Sequence, residues 1–195
     1  YCLMNEISTK PLENAYLGYK IDDAKVKKVL KNLPLSKYKI SNKNIFKKAA
    51  QLLVENKIIG LCRGHAEFGA RSLGNRSIIC NPTKLENIKK INETVKNRDF
   101  WMPFAATIID KYAAKYFKIK KTNLNNYNYM TNCVETLPSS RDKLVAAIHP
   151  YDKTCRPQII TQKNNPFYYK IISEFGKRSK IYSVLNTSLN THGKP

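Results

Sequence analysis

The stretch that most restricts the fold lies between residues 57 and 80. Lys57-Ile58-Ile59-Gly60-Leu61-Cys62 is largely apolar and too short for a buried helix, so a short buried strand is the reading left. Arg76-Ser77-Ile78-Ile79-Cys80 resumes as a second strand. Between them, Arg63, His65, Glu67, Arg71 and Asn75 crowd a loop hinged on Gly64, Gly69 and Gly74. Such a loop is neither a core helix nor a regular strand. Its glycines allow left-handed turns and close approach of main-chain N–H groups to a ligand.

Other elements alternate around this pair. Asp22-Asp23 caps a helix whose apolar face is Val26, Val29, Leu30 and Leu33. Ser41 opens a second helix through Leu53. Pro82-Thr83-x-x-Glu86 reads as a capping box ahead of a helix with Leu85, Ile88 and Ile91 inward. Strands are expected at 104–109, 144–148, 157–161 and 181–185. Helices are expected at 111–117 and from Asn165-Pro166 onward. The basic, Asn/Tyr-rich stretch 118–130 reads as a surface excursion. Mixed strands and helices without strict βαβ order give an α/β (α+β) sheet protein. The chain opens on Tyr1 and stops after a polar loop at Pro195, which leads us to expect a piece of a longer polypeptide.

The formal charge is +21 over 195 residues. A polyanion would suit it, yet the lysines are scattered and no aromatic-interleaved RNA motif appears, so solvated lysine faces are the simpler reading. Cys2, Cys62, Cys80, Cys133 and Cys155 are widely spaced and form no C-x-x-C pair. That argues against zinc, for a reducing cytoplasmic setting, and for buried inert thiols. No apolar run approaches the ~20 residues of a membrane span. Walker-type, dinucleotide-binding and nucleophile-elbow motifs are missing, and the three histidines lie far apart.

Polar clusters recur beside the strands. They are the 63–76 loop; Lys96 and Arg98; Asp152, Thr154, Arg156 and Gln158; and Asn186, Thr187, Ser188 and Asn190. In open α/β sheets, ligands collect outside strand ends. If these ends converge, arginine forks with amide and hydroxyl donors make a phosphate-holding site.

Glu67 to Ser77, EFGARSLGNRS, resembles the EFGPRALGNRS signature of the carbamoyltransferase C-terminal domain, the family of antibiotic, nodulation-factor and related O-carbamoyltransferases. KNRDFWMPFA (96–105), DKTCRPQ (152–158), NTSLN (186–190) and the entry segment AYLG (15–18) are similar to further family segments, in the same order. The chain departs from the pattern at His65, Ala70, Ser72, Met102 and Lys153. Met102 stands where the family has Arg.

The resemblance implies a YrdC-like twisted mixed β-sheet with flanking helices over 23–195. Residues 1–22 would then be a linker from a missing ASKHA-like N-terminal domain, which holds a metal such as iron. It implies an enzyme that uses ATP and magnesium to turn carbamoyl phosphate into carbamoyl-adenylate. The carbamoyl group then passes to the hydroxyl of a small-molecule or glycan acceptor. A homodimer is allowed; membrane and nucleic acid are not expected partners. Arg71 and Arg76 would clamp phosphate or carbamoyl oxygens, with Lys96, Arg98 and Arg156 completing the anion pocket. Asn186, Thr187 and Ser188 would bond the nucleotide. His65, Asn75, Asp152, Thr154, Gln158 and Asn190 would add contacts, and Glu67 would either orient an arginine or reach a magnesium. The alternative is a YrdC-like module that binds nucleotide or RNA without catalysis.

Overall fold

Short strands buried on both faces build the sheet, and the computed structural model of the protein describes residues 3–8, 12–97, 99, 102–191 and 193–194. The main strands are β1 (Ile59–Cys62), β2 (Arg76–Cys80), β3 (Ala105–Ile109), β6 (Gln158–Ile160) and β7 (Ser183–Ser188). They pair in the order β1-β2-β7-β3-β6. All neighbours are antiparallel except β3 and β6. A separate two-stranded ladder joins β4 (Val134–Glu135) to β5 (Thr154–Cys155).

Successive residues of a strand face opposite sides, and the core divides accordingly. Ile78, Cys80, Ile108, Ile159 and Leu185 look to one side, with Phe117 and Leu144. Ile79, Ile109, Ile160 and Val184 look to the other. There α2 (Ile45–Val54) and α5 (Pro166–Ser179) pack on one another over the sheet. The Asn165 side chain caps α5 by accepting from Tyr168 N. α4 (Asp110–Tyr116) follows β3 directly.

The structure departs from the sequence reading in several places. α1 (Asp23–Lys31) forms with Asp22 as its cap, but none of its residues is buried; Val26 and Val29 are 41% and 60% exposed. The helix signal is local, whereas its burial needs a neighbour. At α3 (Glu86–Ile91) no capping box forms. The Asn81 carboxamide takes the Thr83 N–H and hydroxyl instead, and Leu85 is 58% exposed. Leu144, Ala146, Ala147 and Ile148 are buried, yet the run 144–148 passes through turns rather than a strand, with Ala146 N donating to Pro82 O. Burial, not pairing, is what that apolar run encodes. The 118–130 excursion coils into a 3-10 turn at Lys121–Tyr127, packs Leu124 and Tyr127 on the core and buries Met130. Finally, β7 runs on through Ser188, so Asn186 and Thr187 lie inside a strand.

Cys80 and Cys155 are buried, while Cys62 and Cys133 are exposed, against the expectation of inert thiols throughout; Cys2 lies outside the described residues. Among the described residues no helix is long and apolar enough to cross a membrane.

Candidate functional site

The loop between β1 and β2 is folded by its own polar groups. The Glu67 carboxylate oxygen Oε1 accepts from Leu73 N at 2.7 Å, Asn75 N at 2.8 Å and Arg76 N at 3.1 Å. Gly74 N donates to Ser77 Oγ. Gly74 has φ +106°, and a Cβ there would lie 2.1 Å from the Tyr168 ring, so only glycine fits. Leu73 O receives both the Tyr16 hydroxyl (2.8 Å) and Gln158 Nε2 (2.9 Å). Burial pushes the Tyr16 hydroxyl up to about 12, which keeps it a neutral donor.

Beneath the loop lies a buried polar floor. Thr107 Oγ1 donates to Gln158 Oε1. Asn186 Nδ2 donates to Ser72 O, Thr107 Oγ1 and Gln158 Oε1, while its Oδ1 accepts the Ser72 hydroxyl. Each group answers another, which is how buried polar atoms avoid their desolvation cost.

Above this floor opens a pocket of about 250 Å³, lined by Arg71, Ser72, Met102, Arg156, Thr187 and Ser188, among others. It lies where β7 ends and β3 and β6 begin. Burial first, then the Arg156 charge, lowers the Arg71 pKa. Arg156 Nε is buried and has no hydrogen-bond partner among the described residues. The walls include no carboxylate. A second cavity of about 580 Å³ shares Ala70, Arg71, Ser72 and Ser188 with the first and adds Glu67, Arg76, Leu189 and Asn190.

The structure sorts the expected site residues. Arg71, Arg156, Asn186, Thr187 and Ser188 come together around the first pocket. Arg76 borders the second cavity, but its guanidinium is taken up by the carbonyls of Arg63, Asn75, Gly64 and Tyr19. Its geometry is therefore that of a brace for the loop, not of a free phosphate fork. Lys96 is buried, and its Nζ bonds Ser188 O, Ser188 Oγ, Asn190 O and Asn190 Oδ1. It pins the turn after β7. Asn75 is turned inward, donating to His65 O and accepting from Arg63. Gln158 belongs to the floor. His65 pairs with Lys20 at the sheet margin and holds Gly18 O through its ring. Asp152 and Thr154 border neither cavity; Asp152 Oδ1 accepts Thr154 N in the turn before β5. Arg98 lies outside the described residues.

Sequence reasoning missed Tyr16, Thr107, Asn165 and Met130. Asn165 bonds Tyr16 and Asn75, and Met130 borders the pocket. Tyr16 carried a signal in the entry segment, and Asn165 one only as a helix start.

Residues 50–195 match the family model described as Carbamoyltransferase C-terminus. The chain belongs to that family. This carbamoyltransferase C-terminal chain is 38% identical over 189 residues to the Methanocaldococcus jannaschii protein MJ1051, covering 94% of this chain and 36% of that protein. It is 34% identical over 152 residues to nodulation protein NolO of Bradyrhizobium diazoefficiens, covering 78% of this chain and 27% of NolO. The chain thus spans about a third or less of these relatives. The solved structure of Escherichia coli YciO, a YrdC-like fold, superposes with TM-score 0.52 at 12% identity, over 76% of this chain and 65% of YciO. That likeness shows the fold alone.

Proposed function

We propose that this carbamoyltransferase C-terminal chain binds carbamoyl phosphate and ATP and forms carbamoyl-adenylate. The observation that supports the reading most is the pair Arg71 and Arg156 on one pocket, with a buried Arg156 N–H awaiting an acceptor. An oxyanion answers both the paired positive charge and the orphaned donor.

The chemistry asks for little covalent work from the protein. Carbamoyl phosphate gives up inorganic phosphate to water and leaves carbamate. A carbamate oxygen then attacks the α-phosphorus of ATP, and pyrophosphate departs. Negative charge gathers on non-bridging oxygens throughout, so fixed guanidinium and hydroxyl donors lower the barrier without reorganising. Arg71 and Arg156 hold the oxyanion, and Thr187 and Ser188 line the same pocket. Asn186 keeps the floor in place rather than offering a free amide.

The residues present do not fit a resident magnesium. Among the described residues no group of three His, Cys, Asp or Glu stands where it could hold a metal ion, and the pocket wall lacks carboxylates. A magnesium would enter on the nucleotide's own phosphates. The acceptor hydroxyl, on a small molecule or glycan, and any ASKHA-like metal-binding portion are assigned to the parts of the relatives outside the matched span.

The test is carbamoyl-phosphate-dependent release of pyrophosphate from ATP by the purified chain. Release that needs both substrates supports the reading. Salt-sensitive retention of RNA with no pyrophosphate would replace it with the binding-module alternative.

A further inference from the structure

We infer that Glu67 is a positioning residue, an internal anion that gathers main-chain N–H groups and so fixes where Arg71 stands; this rests on the proposed oxyanion role of Arg71. Glu67 stands four residues before Arg71 and nine before Arg76, yet among the described residues it makes an ion pair with neither. Instead, one oxygen collects the amides of Leu73, Asn75 and Arg76.

The consequence for the loop is specific. Phe68 N is held by Ala15 O at 2.7 Å, and Ser72 is tied to Asn186 through both its hydroxyl and its carbonyl. Residues 69–71 are thus a short span with both ends fastened. Arg71 sits at its C-terminal end, one residue from the fastened Ser72. Glycine-rich phosphate loops offer their own amides to the ligand. Here the amides at 73, 74, 75 and 76 are already spent on Glu67 and Ser77. Those four amides are therefore closed to an incoming oxyanion, and the Arg71 side chain, carried on the pocket wall, is the loop's charged donor there.

A carboxylate suits this task because three donors converge on one atom and a full negative charge strengthens each bond. Glutamine keeps an acceptor oxygen in the same place. Alanine removes it and leaves the three amides without their acceptor.

The experiment compares Glu67→Ala and Glu67→Gln with the unaltered chain in two ways. Amide hydrogen exchange is read at Leu73, Asn75 and Arg76, with Ile78 and Ile79 of β2 as the folding control. Affinities for carbamoyl phosphate and for inorganic phosphate are read by calorimetry. In Glu67→Ala, exchange at the three amides rises at least tenfold while β2 stays protected, and carbamoyl phosphate binds at least tenfold more weakly. Glu67→Gln brings affinity back to within about threefold, which a mere loss of fold would not allow.

Unchanged loop exchange in Glu67→Ala overturns the inference, as does unchanged affinity. If the unaltered chain binds neither anion, the proposed function falls. The positioning role is then decided by amide exchange together with the rate at which phenylglyoxal modifies Arg71, which must change in Glu67→Ala and return in Glu67→Gln. No change in either measurement rejects it.

Discussion

Arg71 and Arg156 face one pocket with no carboxylate among its lining residues, and the charge of Arg156, after burial, holds the Arg71 guanidinium below its ordinary pKa. Two cations kept together at a cost in repulsion point to a ligand that removes the cost. Removing either should weaken carbamoyl phosphate binding by about 10- to 100-fold, since a charge-assisted hydrogen bond contributes about 1.5–3 kcal/mol. The double variant Arg71→Ala/Arg156→Ala should lose less than the sum of the two, because they share a ligand. Calorimetry on the four proteins checks this. Strict additivity would mean that the two side chains do not grip the same anion.

Met102 borders the same pocket where the family pattern has arginine. Met102→Arg should place a third guanidinium beside the other two. Phosphate-bearing ligands then bind more tightly, with a steeper loss of affinity as salt rises. Titrations at low and high ionic strength read both effects. Equal affinity and equal salt slope would show that position 102 does not reach the anion.

Gly74→Ala should be the most damaging small substitution in the loop. It forces a Cβ at φ +106° and drives it to 2.1 Å from the fully buried Tyr168 ring. Backbone strain and overpacking together cost about 2–5 kcal/mol. Thermal unfolding should show a clear fall in Tm. Gly69→Ala is the control: its φ is also +106°, but nothing lies within 4 Å of the added carbon, so it carries strain alone and costs less.

The thiols predict a pH response. Burial pushes Cys80 and Cys155 up to about 12 from 9.0. The folded protein keeps protons that the unfolded chain releases above pH 9. Their contribution to stability is therefore complete below about pH 9 and is lost as pH rises towards 12. Iodoacetamide at pH 8 should label Cys62 and Cys133, which are exposed, and spare the buried pair until denaturant is added. Labelling of Cys80 in the native protein would contradict that burial.

Much of the local architecture was legible from residue pattern alone. β2 begins and ends where Arg76-Ser77-Ile78-Ile79-Cys80 suggests, and Asn165-Pro166 marks the start of α5. These signals are short-range: a short apolar run, a capping carboxamide, a proline in the first turn. The run 144–148 was misread because burial and strand pairing demand the same apolar residues. Asp152 and Thr154 stand four and two residues from Arg156, yet they form a turn outside both cavities.

The order of residues by itself determined most of the strands and helices, and which polar groups lie near strand ends, because those depend on neighbours a few positions apart. Only the tertiary structure decided their division of labour. Arg71 and Arg156 are brought to one pocket from separate loops. Arg76, Lys96 and Asn186 are instead spent on carbonyls, hydroxyls and amides of the fold. The physical reason is that a buried donor takes whichever acceptor the packed chain places beside it, and that acceptor lies 92 residues away for Lys96 and 114 for Asn186.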